Sequence, residues 1–515
     1  MATPLAPGAV VAVIGAGTMG AGIAQVAALH GHRVQLHDVR FGAAEAARAG
    51  IGAALARDVA RGRLDAAAAD AALARISTVV TRADACSARL VIEAIAEDLA
   101  AKRELFASLE NIVDADCILA TNTSSLSITA LASGMKHPGR MVGMHFFNPV
   151  PLMPLVEVVT GLATDDRVAA SIFATAGQWG KTPVHAASTP GFIVNRCARP
   201  FYGEAFRLLA ERAAQPATID AVMREAGGFR MGPFELMDLI GHDVNYAVTE
   251  SVWEAMYRDA RFTPSALQRE LVAAGFLGRK SGRGFYDHSP GAPKVLPQTE
   301  VAGPRPARLF VHGEPGIVAP LIARIGAAGV AIEHTTTDSR FSGCALRASG
   351  TGGEGWLVLT DGRTATARAA AAGVRDLVVF DLAYDFGKAT RLAVACADGA
   401  QDAGTAAAFG ALQAAGVAVS RFDDVAGLAV LRTVAMLANE AADAVVQGVA
   451  VAVAIDIAME KGVNYPRGPL AWADAIGVGA VRAALANLDA HYGDGRYRIS
   501  PLIARRALAG QRLHG

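Results

Sequence analysis

The chain has 515 residues, which at roughly 100 to 200 residues per domain predicts three or four folding units. Hydrophobic residues make up 52% and charged ones 19%, enough apolar surface to bury several cores and too little charge for a disordered chain. Lys+Arg 48 against Asp+Glu 48 gives a formal net charge of +0, which argues against a dedicated nucleic-acid or other polyanion binder.

Met1 to Val10 lacks the basic segment of a signal peptide, so no export is expected. Val10-Val11-Ala12-Val13-Ile14 reads as a buried parallel strand and leads directly into Gly15-Ala16-Gly17-Thr18-Met19-Gly20. A helical stretch, Ala21 to His30, follows, and then a second strand, His32 to His37, with Asp38 at its end. This is dinucleotide-binding order. Gly15 permits the tight turn, Gly17 lets the backbone approach a pyrophosphate, Gly20 lets helix and sheet pack closely, and the helix N-terminus attracts negative charge. Asp38 would accept bonds from an adenosine ribose diol and repel a 2′-phosphate, so NAD is expected over NADP; Arg40 close by weakens that preference. The bland alternative is an ordinary glycine turn.

Arg89 to Ile95 is another strand, ending near Glu97, and Asp98 to Glu110 has helical spacing. Cys117 to Thr121 is the next strand and stops at Asn122-Thr123-Ser124-Ser125. Ligands of open α/β sheets sit beyond the carboxyl ends of the strands, which is where this tetrad and Glu97 fall. Ser124 alternatively reads as the N-cap of the following helix. Met141 to Phe147 is a strand, Asn148-Pro149-Val150-Pro151 a break, and Leu155 to Val159 a strand again. An antiparallel pair turning near Pro151 would set His145 opposite Glu157, and an imidazole held by a carboxylate is a general base of fixed tautomer. The alternative is a strand histidine satisfied by any neighbour, with Glu157 exposed.

Taken together, Gly15 to Gly20, Asn122-Thr123-Ser124-Ser125, His145-Phe146-Phe147-Asn148-Pro149 and Pro190-Gly191-Phe192-Ile193-Val194-Asn195-Arg196 resemble the 3-hydroxyacyl-CoA dehydrogenases, from about residue 8 to about Asp287. The resemblance implies NAD-dependent oxidation of an (S)-3-hydroxyacyl-CoA to the 3-oxoacyl-CoA in fatty-acid or phenylacetate degradation. It makes His145 the base on the 3-hydroxyl and Glu157 its support, with Ser124 and Asn195 bonding the reacting oxygen or the thioester end. Asp38 would hold the adenosine ribose. Gly15, Gly17, Thr18, Met19 and Gly20 would meet the pyrophosphate, and Glu97, Lys102, Asn148 and Lys280 match cofactor-contacting positions, with Arg279 an alternative to Lys280. Two rival readings are a dehydrogenase of β-hydroxy acids without CoA, whose relatives use a lysine base, and an inert NAD-binding relative.

Ser289 to Pro306 is Pro-rich and reads as a linker. Beyond it, Arg308 to Gly313, Gly329 to Glu333, Trp356 to Thr360, Asp376 to Asp381 and Leu392 to Ala397 look like strands of a second Rossmann-like domain. Its first turn, Gly313-Glu314-Pro315-Gly316, lacks the fingerprint, so no dinucleotide is expected there. An internal repeat follows at a constant offset of 236: Gly191, Val194, Arg196, Glu204, Asp220, Met223, Gly232, Pro233, Asp238 and Gly241 recur from Gly427 to Gly477, while Asn195 becomes Leu431. The apolar run Val445 to Met459 carries Gln447 and Asp456 and is too short for a membrane span. Cys86, Cys117, Cys197, Cys344 and Cys396 form no Cys-x-x-Cys pair, so neither disulfides nor a metal site is expected and a cytoplasmic setting fits.

The expected fold is α/β plus all-α. Residues 1–187 form a Rossmann-like NAD domain, 188–288 a helical substrate and dimerisation domain, 289–306 a linker, 307–424 a second Rossmann-like domain without fingerprint and 425–515 a second helical domain. By the resemblance, the two helical modules would form an internal pseudo-dimer; further homo-oligomerisation stays open. The acyl group is not legible: 3-hydroxybutyryl and 3-hydroxyadipyl thioesters both fit, and a terminal carboxylate would need a basic residue such as Arg199, Arg207 or Arg230. Arg57, Arg61 and Arg63 are candidates for the CoA phosphates.

Overall fold

Short β-branched and leucine-rich runs between glycines give the first sheet its strands: β1 (Val10–Ile14), β2 (Arg33–His37), β3 (Ile76–Thr78), β4 (Leu90–Glu93), β5 (Ile118–Thr121), β6 (Met141–Phe146), β7 (Leu155–Thr160) and β8 (Thr182–Ala187). The computed structural model describes residues 3–341, 343–350 and 353–514; the extreme ends of the first and last expected segments lie outside them. The strand order is β3-β2-β1-β4-β5-β6-β7-β8, parallel except where β6 meets β7. β1 and β4 are buried throughout, as strands covered on both faces must be. The helices Thr18–Leu29 and Asp166–Gln178 supply much of that cover through Ile23, Val26, Ala27, Ile172 and Ala176.

The second sheet contains β9 (Arg308–His312), β10 (Ala331–Thr335), β11 (Ala345–Gly350), β12 (Gly353–Leu359), β13 (Leu377–Phe380), β14 (Arg391–Cys396) and β15 (Ala418–Arg421), in the order β10-β9-β11-β12-β13-β14-β15. β11 runs antiparallel to both β9 and β12, so the sheet is mixed. Four strands escape the sequence pattern, and each has a reason. β3 has three residues, β8 is an edge strand that carries Pro183, β11 is Ala-Leu-Arg-Ala-Ser-Gly held by its two neighbours, and β15 is a four-residue edge.

The chain divides into two compact units, the first extending to Arg196 and including Gln447–Val463, the second comprising Cys197–Val446 and the chain from Asn464 onward. Within the first, the helix Ala452–Val463 lies on β7 and β8, and Gly462 brings its backbone so close to Leu155 that a Cβ would stand 2.6 Å from Leu155 Cδ2. Within the second, the helix Pro216–Glu225, at the same place in the repeat, lies on β14.

The offset of 236 reaches further back than the helical module. β7 and β14 span Leu155–Thr160 and Arg391–Cys396, and β6 and β13 begin at Met141 and Leu377. Backbone conformation repeats with it: the left-handed pairs Gly191-Phe192 (φ 74, 48) and Gly427-Leu428 (φ 80, 51) match, as do Gly241 (φ 101) and Gly477 (φ 102). A buried non-glycine residue with positive φ is held by its surroundings, so its recurrence marks the same tertiary constraint in both halves.

Candidate active site

The glycine loop behaves as its spacing predicts. Gly15 has φ 106, and a Cβ there would lie 2.5 Å from the Ala94 carbonyl oxygen; a Cβ on Gly20 would lie 1.8 Å from the Gly15 oxygen. Gly17 is the opposite case, with nothing within 4 Å of its added Cβ, so open space adjoins the N-terminus of the helix Thr18–Leu29. The first turn of that helix carries no acid, which suits an anion. Next to it is a cavity of about 660 Å³ lined by Gly15, Gly17, Asp38, Val39, Ile95 and Leu105, among others. These residues fit the pyrophosphate and adenosine of NAD.

Asp38 accepts the Ala16 N–H at 2.8 Å, which ties the strand end to the loop. Its carboxylate also takes Arg40 on both oxygens, at 3.0 and 3.1 Å, and these bonds hold its pKa down to about 2. Arg40 itself is largely exposed, and its charge is engaged by Asp38.

Beyond β4 and β5 lies a polar network around Glu97. Glu97 Oε1 accepts the Thr123 hydroxyl (2.5 Å), the Ser124 N–H (3.0 Å) and the Ser125 hydroxyl (2.9 Å). Burial works to raise the Glu97 pKa, but Lys102 and these hydroxyls outweigh it and the net shift is downward. Lys102 is 1% exposed, its amine between Glu93 (2.7 Å) and Glu97 (3.0 Å). A fully buried lysine paired in this way acts by fixing Glu97. Glu93 went unnoticed in the sequence because it sits inside an apolar strand. It is fully buried, and it also accepts the Thr121 hydroxyl and the Ile95 N–H. The lone acid of that strand, nine residues before Lys102, was the available signal.

The N-cap alternative for Ser124 is overturned. Ser127 caps the short helix Ile128–Ala132 by accepting the Ala130 N–H, which leaves the Ser124 hydroxyl free of that duty. Asn195 Nδ2 donates to the Ser124 carbonyl at 3.3 Å, bringing these two residues together. Asn122 accepts the Phe146 N–H and ties the tetrad to β6.

β6 and β7 pair with His145 opposite Glu157, and His145 Nδ1 lies 2.6 Å from Glu157 Oε2. Since the carboxylate only accepts, Nδ1 is the donor, and in the neutral imidazole Nε2 then presents the lone pair. Glu157 is fully buried, and its second oxygen accepts the N–H groups of Ile193 (3.0 Å) and Val194 (2.9 Å). Those donors point inward because Gly191 and Phe192 are left-handed, and the Phe192 ring lies against the imidazole at 5.8 Å. The strained turn is therefore part of the histidine's support, a role the sequence motif did not disclose. Asn148 is exposed just past β6. Lys280 belongs to the second unit, where its amine pairs with Asp243 at 2.5 Å. Arg57, Arg61 and Arg63 are exposed, at and beyond the end of the helix Ala43–Ala60.

At the offset of 236, Ser124, His145, Glu157 and Asn195 correspond to Thr360, Asp381, Ala393 and Leu431. Asp381 takes over the backbone duty of Glu157: its carboxylate accepts the N–H groups of Ala429, Val430 and Leu431. Burial pushes its pKa up to about 6 against those bonds. The second half thus keeps the strand-to-turn tie and has no imidazole at this place.

The model of the 3-hydroxyacyl-CoA dehydrogenase NAD binding domain matches residues 10–189. The model of the C-terminal domain of the same family matches twice, at residues 191–288 and 427–513, and that of the 3-hydroxybutyryl-CoA dehydrogenase reduced Rossmann-fold domain matches residues 357–425. The chain is 44% identical over 498 residues, 97% of both chains, to the 3-hydroxyadipyl-CoA dehydrogenase of Escherichia coli (strain K12). It is 45% identical over 276 residues, 54% of this chain and 96% of the other, to a probable 3-hydroxybutyryl-CoA dehydrogenase of Bacillus subtilis. The crystal structure of 3-hydroxybutyryl-CoA dehydrogenase from Escherichia coli K12 superposes with TM-score 0.88 at 42% identity, covering 98% of this chain and 99% of that one.

Proposed function

The chain belongs to the 3-hydroxyacyl-CoA dehydrogenase family, and from that premise we propose how its own residues carry the reaction. The protein is an NAD-dependent oxidoreductase that converts 3-hydroxyacyl-CoA to 3-oxoacyl-CoA. NAD, when bound, accepts the hydride that leaves C3 of the substrate. His145 Nε2 takes the hydroxyl proton as C3 is oxidised, and the imidazolium that forms is balanced by Glu157 at 2.6 Å. In reduction His145 returns that proton. Ser124 and Asn195 donate to the reacting oxygen or the thioester carbonyl, and Asp38 accepts from the adenosine ribose. Glu97 orders the 123–125 loop, and Lys102 positions Glu97. Asn148 and Lys280 are assigned to the cofactor by their place in the family motifs.

The observation that carries this reading is the buried His145–Glu157 pair, whose carboxylate is itself fixed by two backbone donors. The test is NADH formation from 3-hydroxybutyryl-CoA and 3-hydroxyadipyl-CoA beside the corresponding free 3-hydroxy acids. Turnover of the thioesters is expected. Equal turnover of the free acids would favour the reading without CoA, and no turnover with any of them would favour an inert relative.

The second half is read as an internal partner. The helix Ala452–Val463 on β7 and β8, and the helix Pro216–Glu225 on β14, are equivalent in the repeat, as expected if the two modules exchange helices like the subunits of a dimer. Arg432 supports the same reading within the second unit: it is fully buried and binds Glu204 (2.7 Å) and Glu211 (2.8 Å) of the first module. On this reading the five segments 1–187, 188–288, 289–306, 307–424 and 425–515 remain the sequence domains, and the first half alone is catalytic.

A further inference from the structure

A cavity of about 570 Å³ lies wholly within the second unit, at the carboxyl ends of β9, β12 and β13 and beside the helix Val478–Tyr492. In this sheet β9 leads through a helix to its parallel neighbour β10, while β12 leads through another to β13 on the opposite side. The cavity therefore sits where the strand order reverses, the usual seat of a ligand in an open α/β sheet. At the offset of 236, Thr360 and Leu431 stand where Ser124 and Asn195 stand in the first half, and both border the cavity. The second half keeps a cleft at this place and gives it a different chemistry.

The lining decides what can enter. The turn after β9 has no glycine fingerprint and carries the exposed acid Glu314, which disfavours a phosphate. Much of the wall is apolar, with Leu346, Phe380, Leu382 and Leu431 from the sheet side and the exposed Ala480 and Ala483 from the helix. Four charged side chains border the cavity: Arg363, Arg368, Asp361 and Glu314. Arg363 bonds Asp361 through Nε (3.1 Å) and Nη2 (2.6 Å). Arg368 is 4% exposed, and its Nε stays 3.6 Å from Asp361, too far for a hydrogen bond. Its Nη1 donates to the Leu359 carbonyl, while Nη2 has no hydrogen-bond partner among the described residues and remains accessible. Glu314 acts on Cys344 and on neither guanidinium. One carboxylate thus faces two guanidiniums, and the more buried of them is left short of negative charge. Burial is the largest influence on Arg368 and lowers its pKa, with Asp361 working against it. A desolvated cation so poorly compensated at a cavity wall calls for an anion from outside, and a guanidinium suits a carboxylate.

We propose that this cavity binds a small aliphatic monocarboxylate, with its carboxylate on Arg368 and its hydrocarbon chain against the apolar wall. The site is built from the second unit alone and does not rest on the reading of the first half.

Calorimetric titration of the full-length protein with hexanoate, beside hexan-1-ol, tests it. Hexanoate is expected to bind at a single site with a dissociation constant at or below about 1 mM and to raise the melting temperature. Hexan-1-ol, which has the same chain without the charge, should bind at least about tenfold more weakly. Arg368→Met should weaken hexanoate by about tenfold or more. Ala483→Trp, which fills the cavity from an exposed position on the helix, should do the same. No binding of hexanoate at about 10 mM, ten times the expected constant, overturns the proposal. Equal binding of the alcohol does so as well, and hexanoate affinity unchanged by Ala483→Trp would place the ligand elsewhere and overturn it too. The tryptophan variant and the alcohol decide the matter even where Arg368→Met does not fold.

Discussion

At the scale of single residues, the site depends on which nitrogen of His145 carries the proton, and that is settled by Glu157. Its carboxylate can only accept, so Nδ1 must donate and Nε2 is the nitrogen left for the proposed role of base. Glu157→Gln keeps the size and an acceptor oxygen for Ile193 and Val194 but can turn an amide N–H toward Nδ1, which moves the proton to Nε2. Turnover should then fall by about 10² to 10⁴, as when a triad carboxylate is replaced by an amide, while the thermal midpoint stays close to wild type. Steady-state kinetics beside a melting curve checks this; a large loss of stability with modest loss of kcat would make Glu157 a structural residue. The pairing itself was legible, because the break at Asn148 to Pro151 sets the register of the two strands. Glu93 and the left-handed Phe192 were not, since one hides in an apolar run and the other depends on a backbone angle that no residue type announces.

Elements carry the next level of support. The same turn, two left-handed residues followed by inward N–H groups, closes on Glu157 in the first half and on Asp381 at the end of β13 in the second. Only the helical part of the repeat was visible in the sequence, where Gly and Pro hold fixed places. Its strands drifted in composition, so β13, β14 and β15, which begin 236 residues after β6, β7 and β8, show the offset only in three dimensions. Asp381 is raised to about 6, above its ordinary range near 3.9 when unfolded. Its protonated form therefore favours folding: that contribution is full below about pH 4 and is lost as pH rises to about 6. Relative to Asp381→Asn, the wild-type thermal midpoint should drop across that interval and run parallel above it. A difference that is flat, or that grows with pH, would show that the carboxylate is charged and well compensated.

For the molecule as a whole, the second half lends a helix to the first sheet and carries Asp381 in place of His145. Gly462 shows how tightly that helix is seated on Leu155 and Val194. Gly462→Val should destabilise the protein by about 1 to 3 kcal/mol through overpacking, read as a lower melting temperature with reduced activity. No change would mean that the helix is loosely held. The alternation of α/β and helical segments was readable from spacing and glycine positions. The placement of Ala452–Val463 on a sheet some 300 residues earlier was not, because apolar helix faces do not name their partners. Because Thr360, Asp381, Ala393 and Leu431 stand where Ser124, His145, Glu157 and Asn195 stand in the first half, we propose a single base per chain. Replacing His145 by Gln in the full-length protein, with NAD affinity measured by fluorescence beside NADH production from 3-hydroxyacyl-CoA, tests that claim most directly. The account predicts NAD affinity within a few-fold of wild type and turnover lower by about 10² to 10⁴, and turnover at the wild-type rate would contradict it.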